Sequence, residues 1–182
     1  AQAEVMQLLA SDNIKTTEHQ YMHIIEAKTA ELFSTACVVS ALIAESKEEE
    51  INALISFGKN LGIAFQLKDD ALDYSGDKET LGKNIGDDFF EGKVTLPIIL
   101  AYRRGNISER EFLENLFNNK IRNKDLLKKA IKIINQYDTI NDTLSKAKQH
   151  GRVAKDALAI FPETEFKAAL MKLVDFSIIR SH

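Results

Sequence analysis

The chain has 182 residues, 45% of them hydrophobic and 28% charged, with 24 basic against 27 acidic side chains and a net charge of −3. This is the make-up of one ordinary globular domain, 1–182, and it excludes disordered, collagen-like and low-complexity classes. It supplies no general basic field for nucleic acid or an anionic membrane, so any anion site has to be local.

Apolar spacing is helical almost throughout, which predicts an all-α chain. A first helix covers about 1–10; it opens on Ala1-Gln2-Ala3-Glu4-Val5 without an initiator Met, like the middle of an amphipathic helix cut from a longer chain. Capping boxes mark later starts: Thr17 with Gln20 opens a helix over 18–45, Ser46 with Glu49 one over 47–75, and Ser108 with Glu111 one over 108–118. Further helices are expected at 94–104, ended by Gly105, and at 123–136, 138–160 with a weak point at Gly151, and 163–180 beyond Pro162. Short connections imply packed antiparallel neighbours. Cys37, the one cysteine, lies in the second helix and cannot close an internal disulfide. That favours an intracellular, cytoplasmic setting and a structural rather than a nucleophilic thiol. No stretch approaches the roughly 18 apolar residues of a membrane span, and no signal-peptide pattern opens the chain.

The exception to helical spacing is 76–93, which holds four of the eight glycines and three lysines. A loop this long inside a compact bundle is usually functional. It follows the helix bearing Phe65-Gln66-Leu67-Lys68-Asp69-Asp70-Ala71-Leu72-Asp73, on which Gln66, Asp69, Asp70 and Asp73 form one stripe. Phe57, Ala64 and Ala71 lie opposite and Leu54, Leu61, Phe65 and Leu72 on one flank, so this helix is expected to be surrounded, with its stripe facing an internal cavity. At an effective dielectric of about 20, two carboxylates roughly 6 Å apart repel by about 3 kcal/mol, so something positive should sit there. Hard oxygen ligands in this number suit Mg²⁺, which completes its shell with water and substrate phosphates. The alternative is a solvent-facing acidic stripe; the apolar surround weighs towards a metal–diphosphate site. Complementary charge is available from Lys28, expected to be drawn inward with Tyr21, Ile24, Ile25, Leu32 and Val39, and from Lys83 and Lys93, each following a glycine. A snorkelling Lys28 and solvated loop lysines are the plain alternatives. His19, His23, His150 and His182 make no zinc set, and no Ser–His–Asp grouping suggests nucleophilic catalysis.

These residues carry a resemblance. Glu4-Val5-Met6-Gln7-Leu8, Tyr21 through Lys28-Thr29-Ala30-Glu31-Leu32-Phe33, Leu61 through Tyr74, and Leu81-Gly82-Lys83 through Glu91-Gly92-Lys93-Val94-Thr95-Leu96-Pro97 stand in order and spacing as in the all-trans polyprenyl diphosphate synthases. Within that family the chain is most similar to the long-chain octaprenyl type of ubiquinone biosynthesis. The resemblance implies an isoprenoid-synthase-type helical bundle around a central cavity, normally a homodimer. It implies Mg²⁺-dependent addition of isopentenyl diphosphate to an allylic diphosphate such as farnesyl diphosphate. By the same resemblance Asp69, Asp70 and Asp73 are the second aspartate-rich, metal-binding motif, with Asp69 the foremost ligand. Lys28, Lys83 and Lys93 match the positions that hold the allylic diphosphate. Thr29 and Gln66 match polar groups beside the developing cation, and Asp88 matches an acid that orients the loop.

The family's first Asp-Asp-x-x-Asp motif and its following basic pair are not present; Asp87-Asp88-Phe89-Phe90-Glu91 imitates the pattern but falls in the loop. The chain is therefore expected to be a C-terminal half, incomplete at its N-terminal side and inactive by itself. Two other readings remain: a non-catalytic diphosphate-binding partner subunit, and a class I terpene cyclase, against which the Gly-Lys pairs weigh.

Overall fold

The computed structural model describes residues 2–75 and 85–179. Every regular element among them is helical: α1 (Gln2–Ala10), α2 (Glu18–Ile25), a π turn (Glu26–Ala30), α3 (Glu31–Ile43), α4 (Glu48–Ser75), α5 (Asp87–Glu91), α6 (Leu96–Arg104), α7 (Ile107–Asn118), α8 (Lys124–Gln136), α9 (Thr139–Ala157), a 3₁₀ turn (Leu158–Ile160) and α10 (Glu165–Ile179). None is long and apolar enough to cross a membrane. Two compact units are distinguished, one from Ala1–Ile24 and Asp69–Thr143, the other from Ile25–Lys68 and Leu144–Arg180.

Local chemistry sets the helix starts. At α2, Thr17 N–H donates to Gln20 Oε1 at 2.8 Å and Gln20 N–H to Thr17 Oγ1 at 3.2 Å, the expected reciprocal cap. In place of the box expected at Ser46 and Glu49, the bond observed is one-sided: Lys47 N–H donates to Glu50 Oε2 at 2.9 Å, and Lys47 has no side-chain acceptor to return it. The box expected at Ser108 and Glu111 lies two residues earlier, at Asn106 and Glu109, since the Asn106 side chain accepts from Glu109 N–H and Glu109 returns the bond to Asn106 N–H. Asn is as good an N-cap as Ser, so the helix can begin at either position. The 76–93 segment is not irregular throughout, because Asp87–Glu91 form the single turn α5 between Gly86 and Gly92, both left-handed.

In the first unit, α6 is wrapped on all sides: Leu96 through Ala101 are six consecutive buried residues. It packs with α7 and α8, and Pro97 in its first turn forfeits no intrahelical bond. In the second unit the core joins Phe57 and Leu61 of α4, Ala154 of α9, Leu158 of the 3₁₀ turn and Val174 of α10, with Phe33 and Cys37 of α3 packed against it. Cys37 is half-buried and burial pushes its thiol upward, so it is an inert packing group. Gly151 is no weak point. A β-carbon there would run into Ile178 Cδ1, so its bare backbone lets α10 lie close on α9.

The inward face expected for Lys28, Leu32 and Val39 is corrected. Lys28 is exposed, Leu32 is 72% exposed and Val39 48%. The π turn is the cause: Glu31 N–H reaches back five residues to Glu26 O. The buried stripe therefore steps from Ile25 to Ala30 and on to Ser34 and Ala41, instead of through Lys28.

α3 and α4 cross at backbone distance. A β-carbon on Gly58 would stand 2.7 Å from Phe33 O and 2.8 Å from Ser34 Cα, and one on Gly62 would stand 2.6 Å from Ala30 Cα. Neither backbone can yield without parting the helices. Gly58→Ala is expected to lower stability by about 2 kcal/mol, overpacking outweighing about 1 kcal/mol of helix propensity; an unchanged urea midpoint would refute the close crossing.

Candidate functional site

Along α4 no residue from Leu61 to Tyr74 is exposed. The expected surrounded helix is observed, and its acidic stretch is half-buried at Asp69 and Asp73 and fully buried at Asp70, 2% exposed. A buried carboxylate without partners would cost several kcal/mol, so its surroundings are informative.

In the first unit the turn of α2 places Tyr21, itself 3% exposed, over Asp70, and its hydroxyl donates to Asp70 Oδ2 at 2.5 Å. Burial, followed by the charge of Asp70 and the bond to it, holds the Tyr21 hydroxyl well above its ordinary range, so it remains a donor. One Asp70 oxygen is thereby fixed in direction. Asp73 is met by α5: Gly86 N–H donates to its backbone carbonyl at 2.9 Å, and Asp88 N–H donates to Oδ2 at 3.2 Å. Burial and the charge of Asp88 nevertheless push the Asp73 carboxyl up to about 7, with Asp87 adding to the rise.

Asp88 in turn binds Lys93. The Lys93 ammonium stands 2.9 Å from Asp88 Oδ1 and 2.8 Å from Glu91 Oε2, and Lys93 N–H donates to Asp88 O at 2.9 Å. Burial alone would lower the Lys93 ammonium, but its bonds to Glu91 and Asp88 outweigh that and hold it above its usual value. Asp70, Asp73, Asp88 and Lys93 thus lie in one unit as carboxylates with a fixed cation at their edge. Lys83, with Gly82 and Asn84, lies outside the described residues.

The second unit holds the other candidate residues. The π turn carries Lys28 and Thr29, and Thr29 Oγ1 donates to Gln66 Oε1 at 2.9 Å. That bond orients both side chains, and the Gly62 approach to Ala30 brings the π turn that close to α4. Lys59 pairs with Glu26 of the same turn at 3.2 Å.

Among the described residues no three acidic or histidine side chains already converge in a metal-holding geometry. The donors still suit a hard divalent cation: they are carboxylate oxygens, and Asp73 is raised first by burial and then by repulsion from Asp88. Added positive charge there would relieve that repulsion.

Sequence reasoning did not single out Tyr21 as a site residue. It lies 49 positions from Asp70 and sits in an ordinary apolar helical pattern, so no local signal marks it.

Comparison with known proteins places these residues in context. The family described as Polyprenyl synthetase matches residues 1–134. An octaprenyl diphosphate synthase of Haemophilus influenzae is 37% identical over 182 residues, covering 100% of this chain and 55% of its own. A polyprenyl synthase of Caulobacter crescentus, solved in complex with calcium and isoprenyl diphosphate, superposes with a TM-score of 0.93 at 42% identity, over 100% of this chain and 55% of that one. A decaprenyl diphosphate synthase of Rhodobacter capsulatus superposes with a TM-score of 0.93 at 36% identity, over 100% and 56%. The chain spans about half the length of the curated relatives it matches.

Two outcomes follow from this geometry. Tyr21→Phe removes a bond to a buried carboxylate and is expected to cost about 2 kcal/mol in urea unfolding. The raised Asp73 carboxyl binds a proton in the folded chain at pH values where the unfolded chain, near 3.8, has lost it. Metal-free stability should therefore fall as pH rises from about 4 through about 7 and level off above that. Asp73→Asn should flatten this slope in urea titrations, and an unchanged slope would count against the assignment.

Proposed function

The chain belongs to the polyprenyl synthetase family, and on that premise we propose that it is the C-terminal portion of one Mg²⁺-dependent prenyltransferase bundle that adds isopentenyl diphosphate to an allylic diphosphate. The observation that carries this reading is the arrangement of Asp70, Asp73, Asp88 and Lys93, in which one buried and two half-buried acids are individually held and a lysine is fixed beside them. Such a site suits a ligand that is itself anionic and arrives with divalent cations.

Asp69, Asp70 and Asp73 would hold Mg²⁺, which when bound supplies Lewis-acid stabilisation to a departing diphosphate. Tyr21 keeps Asp70 aimed by donating to one of its oxygens. Lys28, Lys83 and Lys93 bind diphosphate oxygens, and Lys93 would exchange its contacts with Glu91 and Asp88 for the ligand. Asp88 keeps that ammonium charged and in place. Thr29 and Gln66, bonded to each other, turn their oxygen dipoles towards positive charge on the allylic carbons and exclude a stray nucleophile.

Farnesyl diphosphate is the proposed allylic substrate. Octaprenyl diphosphate, the ubiquinone side-chain precursor, is the proposed product, supported by likeness to the octaprenyl synthases at 36–37% identity. A cytoplasmic homodimer is the proposed working form. These 182 residues carry one aspartate-rich motif of the two the reaction needs, so turnover by them alone is expected to be negligible.

The test is elongation with labelled isopentenyl diphosphate, farnesyl diphosphate and Mg²⁺, run on this chain and on a form extended upstream through a first aspartate-rich motif. Product from the extended form, lost by at least about a hundredfold in Asp69→Ala, is the expected result. No product from either form would favour a diphosphate-binding subunit without chemistry.

A further inference from the structure

The turn that presents Asp88 and Lys93 is fastened from behind by residues to which the proposed function gives no role. Gly92, which closes α5, is left-handed with φ +77. Its carbonyl accepts from Asp12 N–H at 2.9 Å, in the α1–α2 connection. A β-carbon on Gly92 would collide with Asp12 Oδ1 and stand 2.7 Å from Arg122 Nη2. Asp12 is itself left-handed, with φ +62, a conformation disfavoured for a residue with a β-carbon, so it needs support.

The support is Arg122, between α7 and α8. Its guanidinium forms an ion pair with Asp12 Oδ1, and its side chain is only 11% exposed. It also lies over the Phe117 ring, 5.6 Å from the centroid, and Phe117 meets Phe89 of α5 edge to face at 6.3 Å. Lys120 approaches Asp12 Oδ2 at 3.2 Å but is 69% exposed, so it adds little. Arg122 thus contacts both Asp12, whose N–H bonds the Gly92 carbonyl, and Phe117, which meets Phe89. The residue before Phe89 is Asp88, and the residue after Gly92 is Lys93.

We propose that Asp12 and Arg122 are positioning residues for the anion-binding turn: their ion pair holds Gly92 in its left-handed conformation and so decides where the Lys93 ammonium stands to receive a diphosphate. The ligand named here rests on the proposed function; the placement of Lys93 does not. Neither residue has a reacting group within its reach, so both act through Gly92 and α5.

The test uses the full chain with Arg122→Leu, Arg122→Lys and Asp12→Asn. Lysine amines are reductively ¹³C-methylated and the Lys93 signal is followed by NMR, while binding of inorganic pyrophosphate with Mg²⁺ is measured by calorimetry. In Arg122→Leu and Asp12→Asn the Lys93 signal should move towards that of Asp88→Asn, and pyrophosphate affinity should fall about tenfold, the worth of one misplaced charge-assisted bond. Arg122→Lys should recover part of both. Asp12→Asn keeps the side-chain shape, so it gives a reading even if Arg122→Leu does not fold. A lower melting temperature with an unmoved Lys93 signal and unchanged affinity would overturn the proposal, reducing the pair to a structural bridge. If the unaltered chain binds no pyrophosphate yet the Lys93 signal moves in the variants, the positioning role stands and the proposed function falls.

Discussion

The structure depends on placing carboxylates inside a helix that has almost no solvent-facing side at that end. α4 brings Asp69, Asp70 and Asp73 into a stretch where nothing is exposed, against both the poor helix propensity of Asp and mutual repulsion. Dedicated partners offset this. A tyrosine hydroxyl held in its protonated form serves Asp70, a backbone N–H at the start of α5 serves Asp73, and a lysine serves Asp88. The compensation is incomplete at Asp73, whose carboxyl is pushed up to about 7. Burial is the larger cause of that rise and the charge of Asp88 the next, and a positive charge nearby would counter it.

A second constraint operates where α3 meets α4. Gly58 and Gly62 remove the side chains that would keep the helices apart, and the contact is with backbone atoms. The π turn at Glu26–Ala30 lies over this crossing and accommodates an extra residue in the helix. Its effect reaches further than one turn, because every side chain of α3 downstream of it is rotated. That rotation buries Ala30, Ser34 and Ala41 and leaves Leu32, Leu42 and Ile43 largely exposed. It also brings Thr29 to Gln66.

Much of this was legible residue by residue. Helix identity, the surrounded character of α4, the acidic stretch and the family all follow from signals a few residues long, such as the three-and-four spacing of apolar groups or a Thr and a Gln three apart. Errors arose where two local signals competed. The reciprocal cap formed at Asn106 with Glu109 instead of Ser108 with Glu111, and at the start of α4 only a one-sided bond from Lys47 N–H to Glu50 is seen. The single turn α5 was hidden because its five residues are too few for any periodicity to show.

By itself the sequence determined an all-helical chain, a central helix with four polar groups on one stripe, and a family whose order of motifs the residues follow, because helical period and motif spacing are properties of neighbouring residues. Tertiary structure alone decided that Tyr21 holds Asp70 and that Asp12 and Arg122 meet behind Gly92. It also decided that Gly151 serves close packing, and that the face of α3 expected to turn inward does not. Those outcomes depend on atoms up to 110 positions apart and on one extra residue in one helical turn. Neither leaves a periodic trace, because the free energy that selects them comes from burial and pairing across the fold.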